Sequence, residues 1–417
     1  MSGRPSSTTV LERFLRYVKI DTQSDETSSS YPSTAKQFDL LRLLVQEMKS
    51  IGLTEVSIDE HGYVFGTIPA TSPKTDVPVI GFIAHVDTSP EMCGENVRPI
   101  VHRNYQGHDL VLPDDPTTVL RLKDIPALAE QMGHDIVTAS GTTLLGADNK
   151  AGVAEIMAAA EYLMAHPEIP HGRVRIGFTP DEEVGAGTKY FDVARFGAKY
   201  AYTMDGGQRG ELETESFSAD AMTFVFHGHN THPGYAKNLM VNAIKVAADF
   251  ISRLPRGKLS PETTEEYEGY VHPYVVKASV DATSVKLLIR DFDVSGLHAK
   301  ESLLESLAAE TIRDWPGATV ESNIEESYRN MKEVFESLPQ VVEYAREAIR
   351  RSGLDVRERP IRGGTDGCRL SFMGLPTPNI FAGEQNFHSR LEWVSVQDME
   401  KAVEVIVNLV RVWEDQT

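Results

Sequence analysis

Leu11, Phe14, Leu15 and Val18 recur at the spacing of one helical face. Within residues 35–51, Phe38, Leu41, Leu44, Val45 and Met48 do the same, so the pattern predicts two amphipathic helices early in the chain. The period then changes. Val77–Val86 is a dense, β-branched apolar run that predicts a buried strand ending at His85-Val86-Asp87. Residues 88–140 carry Pro90, Pro99, Pro113, Pro116 and Pro126 and read as loop-rich. Gly146-Ala147-Asp148 opens an Ala-rich helix from Asn149 to about Ala165, with Asp148 near its N-terminus. Arg173–Thr179 predicts a strand running into Pro180-Asp181-Glu182-Glu183, and Lys199–Met204 a strand running into Asp205-Gly206-Gly207.

From about residue 215 the texture shifts. Strands are expected at Ala221–Phe226, Tyr274–Ala278, Ser284–Arg290 and Ala318–Ile324, and helices at Tyr235–Leu254 and Ala299–Trp315. That β-α-β-β-α-β order is the split βαβ arrangement. Leu338–Arg351 returns to a helix, Pro378–Ala382 to a strand that precedes His388, and Met399–Val412 closes the chain as a helix. The expected fold is α/β: a mixed, largely parallel sheet flanked by helices, interrupted by an inserted ferredoxin-like α+β domain. The expected boundaries are 1–214 and 326–417 for the two segments of the first domain and 215–325 for the insertion. No internal repeat or low-complexity segment is seen.

Several broad classes drop out on composition. A net charge of −20 argues against a nucleic-acid partner, which needs a basic face. Cys93 and Cys368 are the only cysteines, so neither a disulfide framework nor a thiolate metal site is expected. The N-terminus lacks the apolar core and cleavage site of a secretion signal. No apolar stretch reaches the roughly 18–20 residues of a membrane span. The expected location is the cytoplasm, with no membrane partner.

The chemistry-bearing residues gather at predicted strand ends, where ligands bind in largely parallel sheets. His85 and Asp87 share one face of a strand, which suits either a hydrogen-bonded structural pair or a metal-ligating histidine oriented by a carboxylate. Asp148 suits a helix N-cap or a carboxylate bridging two metals. Asp181-Glu182-Glu183 suits a solvated turn or a general base beside a ligand. Asp205 suits a turn, His388 a surface histidine, or each a ligand. Taken together, two histidines and several carboxylates fit a two-zinc site. Gly185-Ala186-Gly187 lacks the third glycine of a dinucleotide fingerprint. P-loop, Gly-x-Ser-x-Gly and His-Glu-x-x-His motifs are absent.

At these positions the chain resembles the dizinc exopeptidase family that includes carboxypeptidase G and succinyl-diaminopimelate desuccinylase, and within it the aminotripeptidase branch. The likeness covers nearly the whole length. It includes His85-Val86-Asp87, Gly146-Ala147-Asp148-Asn149-Lys150-Ala151-Gly152, Thr179-Pro180-Asp181-Glu182-Glu183 and Met204-Asp205-Gly206-Gly207. It continues through Asn230-Thr231-His232-Pro233-Gly234, Ile289-Arg290-Asp291-Phe292-Asp293 and Ile361-Arg362-Gly363-Gly364-Thr365-Asp366-Gly367.

The resemblance implies a zinc exopeptidase catalytic domain with the insertion as a lid. His85 and Asp205 would bind one zinc and Glu183 and His388 the other, with Asp148 bridging. Asp87 would orient His85, and Glu182 would be the general base. A cis bond is expected between Asp148 and Asn149. His232 would stabilise the transition state. Arg290 and Arg362 are candidates for binding the substrate carboxylate, the alternative being internal salt bridges. The implied activity is release of the N-terminal residue of short peptides, with two zinc ions per subunit and cobalt or manganese as substitutes. Relatives often dimerise through the inserted domain, so a homodimer is carried as an expectation. The alternatives are a dizinc dipeptidase, carboxypeptidase or deacylase, or a non-catalytic metal-binding protein.

Overall fold

The computed structural model describes residues 7–417, with side chains from Val10 onward. The reading of the extreme N-terminus as free of a secretion signal rests partly on residues outside that range. The chain divides into two compact units. One comprises residues up to Thr214 with Glu333–Arg359 and Thr365–Thr417, the other Glu215–Lys332 with Pro360–Gly364.

The first unit is built on an eight-stranded sheet. Its order is Thr54–Ile58, Val64–Ile68, Val174–Thr179, Ile80–His85, Tyr200–Gly206, Asn379–Phe381, Glu211–Glu213 and Arg357–Glu358. The four central strands, from Val174–Thr179 to Asn379–Phe381, run parallel, so their carboxyl ends lie on one edge. Ile80–His85 is buried along its whole length, as a strand covered on both faces must be. Helices Ser7–Tyr17, Ala147–Ala165 and Val396–Asp415 pack against one another. Phe14, Ala151, Ala154, Val403 and Val410 are all buried.

Two features were not read from the sequence. The Thr54–Ile58 and Val64–Ile68 pair is antiparallel and turns at Gly62, whose φ of 88° suits glycine. Within the loop-rich stretch, Ile100–His102 and Ile136–Thr138 join Trp393–Ser395 and Glu384–Gln385 in a second sheet. His388 sits in the connection between those last two strands.

The inserted unit is a four-stranded antiparallel sheet ordered Tyr270–Ala278, Ala282–Asp291, Ser218–His227 and Thr319–Tyr328. Helices Ala243–Arg253 and Val294–Asp314 cover it through Met222, Phe224, Phe226, Val246, Phe250, Leu287 and Leu297. This is the ferredoxin-like arrangement. The helix expected from Tyr235 begins only at Ala243. Asn242 caps it by accepting from the Ile244 amide at 2.9 Å, and Pro233–Tyr235 forms a separate 3-10 turn.

One close approach sets the depth at which helix Ala147–Ala165 lies on the sheet. A Cβ on Gly152 would stand 1.9 Å from the Met204 carbonyl and 2.3 Å from Asn149 Oδ1. Only glycine lets the helix rest on the strand that carries Asp205. Gly152→Ala is therefore expected to destabilise the metal-free protein by about 1–3 kcal/mol in urea unfolding. An unchanged midpoint would contradict the close contact.

Candidate metal centre

Five segments of the first unit deliver the polar residues, one of them the connection between Glu384–Gln385 and Trp393–Ser395 that carries His388. His85 ends the strand Ile80–His85, and Asp205 lies near the end of Tyr200–Gly206. Glu182 and Glu183 follow the strand Val174–Thr179, and Asp148 opens the helix Ala147–Ala165.

The structure brings these side chains together. His85 Nε2 lies 3.0 Å from Asp148 Oδ1 and 3.4 Å from Asp205 Oδ1. His388 Nε2 lies 2.8 Å from Glu183 Oε2 and 3.3 Å from Asp148 Oδ2. Two groups of ligand atoms result, each within 4.8 Å: His85 with Asp148 and Asp205, and Asp148 with Glu183 and His388. Asp148 belongs to both, one oxygen turned to each histidine.

Backbone geometry is held from behind by carboxylates and amides. Asp87 is fully buried, with Oδ1 3.2 Å from His85 Nδ1. The same carboxylate accepts from the amides of Glu182 at 3.0 Å and Glu183 at 3.1 Å. It therefore fixes the histidine and the acidic turn at once. Asp181 has a positive φ of 59°. Its carboxylate accepts from Ser33 and Gln37, which anchors that conformation. The Asp148–Asn149 bond is cis. Asn149 donates to Asp205 Oδ1, and the Asp205 amide donates to Asn379 Oδ1 at 3.1 Å.

The residues of the inserted unit are placed differently. His232 is exposed, and its Nδ1 accepts from the Gly234 amide at 3.1 Å, which leaves Nε2–H as the donor of the neutral ring. Arg290 Nη1 donates to the Asp220 and Ile289 carbonyls, and its guanidinium faces the Tyr328 ring. Arg362 donates to the carbonyls of Thr264, Glu266 and Glu268 and lies over Phe217 and Tyr270. These bonds of the two arginines go to backbone carbonyls of their own unit rather than to carboxylates.

Two acids of the centre carried no assigned role in the sequence reading. Glu392 accepts from three backbone amides around Asp148. Asp366 is buried and accepts from Thr179 Oγ1 at 2.8 Å, filling the space that a side chain on Gly187 would need. The Gly-Gly-Thr-Asp-Gly motif held a signal for Asp366. Nothing short of the fold marks Glu392.

The electrostatics call for a cation. Among the described residues, the ion pairs of Asp87, Asp148, Asp205 and Glu183 are with His85 or His388, none with lysine or arginine. Glu183 Oε1 is buried without a partner. Burial raises Glu182 well above its ordinary range, with Asp205, Asp366 and Glu183 adding and His85 opposing. Burial and Asp148 push Glu183 up to about 8. Hydrogen bonds to Asp148 and Glu183 push His388 up to about 11. Burial works against a charge on His85, but Asp205, Asp148 and Asp87 outweigh it and raise it. An orphaned carboxylate oxygen among imidazole and carboxylate donors fits a pair of divalent ions of borderline or hard character.

These shifts fix a sign. In the metal-free protein His388 holds its proton up to about pH 11. A cation must displace that proton, so metal affinity rises as pH rises toward that value. Between about pH 6 and 8 the apparent zinc association constant is expected to climb by at least about tenfold per unit, because Glu183 and His85 also hold protons that the ions displace. Calorimetry in buffers of different ionisation enthalpy should register proton release. A pH-independent constant would contradict the placement of His388.

Comparison with known proteins identifies the family and the fold. The model of Peptidase family M20/M25/M40 matches residues 142–412. Peptidase T of Geobacillus thermodenitrificans is 49% identical over 408 residues, covering 98% of this chain and 99% of that protein. The fold is that of the aminopeptidase PepT from Bacillus cereus, with a TM-score of 0.76 at 23% identity, covering 99% of this chain and 100% of that one. It is also that of a dinuclear metal-binding M20 peptidase from Bacillus subtilis, with a TM-score of 0.66 at 15% identity, covering 97% and 98%. A match of this length, with a near full-length relative at close to half identity, is decisive: the chain belongs to peptidase family M20/M25/M40.

Proposed function

We propose that the chain is a metal-dependent aminotripeptidase that releases the N-terminal residue of short peptides. The observation that carries the mechanism is the shared Asp148, which joins two ligand groups beside the turn bearing Glu182. Peptidase T and PepT relatives support the substrate class. We assign His85 and Asp205 to one ion, Glu183 and His388 to the other, and Asp148 to both.

Two zinc ions held there would supply an acidified water and a polarised peptide carbonyl. Cobalt or manganese suits the same donors. The chain's own residues do the rest. Glu182 ligates neither ion in this assignment, and its raised proton affinity matches a base that takes a proton from water and passes it to the leaving amine. Asp87 keeps His85 Nδ1 bonded, which directs Nε2 at Asp148 and Asp205.

We assign the inserted unit the role of a lid carrying groups that meet the substrate. The Nε2–H of His232 would donate to the developing oxyanion. Arg290 would take the terminal carboxylate, a distance gauge that would favour tripeptides. Arg362 belongs to the same set at greater cost, because it must give up three backbone carbonyls where Arg290 gives up two. A cytoplasmic location and a homodimer through residues 215–325 complete the proposal. No helix among the described residues is long and apolar enough to cross a membrane.

The test is hydrolysis of an unblocked tripeptide against its N-acetylated form, before and after chelation and zinc add-back. Cleavage of the free peptide alone, lost on chelation and restored by zinc, is expected. Equal cleavage of the acetylated peptide would point instead to a carboxypeptidase or deacylase. Glu182→Gln should lower kcat by about 10²–10⁴-fold while two equivalents of metal stay bound. Wild-type turnover by that variant would remove Glu182 as the base.

A further inference from the structure

Glu392 stands behind the metal centre with no part in it so far. It is 1% exposed. Its Oε2 accepts from the amides of Leu145 at 2.6 Å and Gly146 at 2.8 Å, and its Oε1 from the amide of Asp148 at 3.0 Å. One carboxylate thus gathers the turn in which Gly146 takes a positive φ of 80° and from which the Asp148 side chain projects.

Glu392 also lies four residues beyond His388, and the turn between them is closed on itself. Ser389 Oγ donates to the Asn386 carbonyl at 2.7 Å, and the Leu391 amide donates to Ser389 Oγ at 3.1 Å. Asn386 Nδ2 reaches the Leu391 carbonyl at 3.3 Å, and the Glu392 amide reaches the Ser389 carbonyl at the same distance. Asn386 and His388 both have positive φ, so the turn has little freedom to adjust. Downstream, Trp393–Ser395 pairs with Ile136–Thr138 and anchors the turn in the second sheet.

We propose that Glu392 is a positioning residue that couples two ligands, the bridging Asp148 and the terminal His388, by tying their two segments through one carboxylate. An isosteric amide would not serve. Two oxygens receive three backbone amides. Replacing one oxygen by an amide NH2 would set donor against donor. The segments would then drift, and the distance from Asp148 to His388 would no longer be fixed. Outer groups of this kind commonly account for about 10–100-fold in metal affinity.

The inference rests on Asp148 and His388 being ligands, and its test separates the two claims. Zinc affinity of the purified protein is measured by competition with a chromophoric chelator, for wild type and Glu392→Gln. The wild type is expected to bind two equivalents, and the variant to hold one of them about 10–100-fold more weakly. At limiting zinc the variant's kcat should fall at unchanged KM, and excess zinc should restore it. The far-UV spectrum of the metal-free variant should stay near wild type while its thermal midpoint falls, because buried amides lose an acceptor. Rescue of kcat by excess zinc is the readout that a purely structural role would not give.

Glu392→Asp retains both oxygens on a shorter stem and should show an intermediate loss. It carries the test if the glutamine variant does not fold. Wild-type affinity for both equivalents in either folded variant overturns the inference alone. A wild-type protein that binds no zinc overturns the ligand assignment beneath it.

Discussion

Asp148, Asp205, Glu182 and Glu183 are crowded onto one edge of a parallel sheet, and among the described residues His85 and His388 stand with them. Like charges held this close in a poorly hydrated place repel strongly, and each loses its hydration. The raised proton affinities of Glu182, Glu183 and Asp205 express that conflict in the metal-free chain. Protons on His85 and His388 relieve part of it, and a pair of divalent ions would relieve it more completely. The rest of the first unit can be understood as the scaffold that keeps this crowd from dispersing.

The scaffold works by spending further buried carboxylates on backbone amides. Asp87 receives Glu182 and Glu183, Asp181 receives Ser33, and Glu392 receives Leu145, Gly146 and Asp148. Each holds main chain, and Asp87 and Asp181 hold side chains as well, so the turn itself is set and the ligand follows. Charged acceptors suit this task because their hydrogen bonds to amides are stronger than those of neutral groups. Gly152 makes the complementary contribution by omission, letting helix Ala147–Ala165 approach Met204 closely enough for Asp148 to meet His85.

Much of this was legible in the chain itself, and the reasons are physical. Ile80–His85 is buried along its length and lies in a dense apolar run, while Val174–Thr179 shows through its alternation, and both locate the residues at their ends. The ferredoxin-like insertion announces itself through alternating strand and helix periods. Periodicity misled where a polar cap decided the boundary, as at Asn242, which starts its helix eight residues after Pro233-Gly234. The antiparallel edge strands near Gly62 and the short strands of the second sheet are too brief for a period to show. Glu392 was invisible for another reason. Its function lies in contacts across roughly 250 residues of sequence, and a lone glutamate before a tryptophan carries no local mark of them. Arg290 and Arg362 show the converse, since a motif can name an arginine while its bonds go to neighbouring carbonyls.

The claim on which the account turns is that two metal ions share Asp148. Anomalous diffraction at the zinc edge, from crystals grown with zinc, measures this directly. Two peaks about 3.5–4 Å apart, one beside His85 and Asp205, the other beside Glu183 and His388, both within bonding distance of Asp148, are the expected result. No peak at these residues, or a single ion that leaves Asp148 unbound, would contradict it.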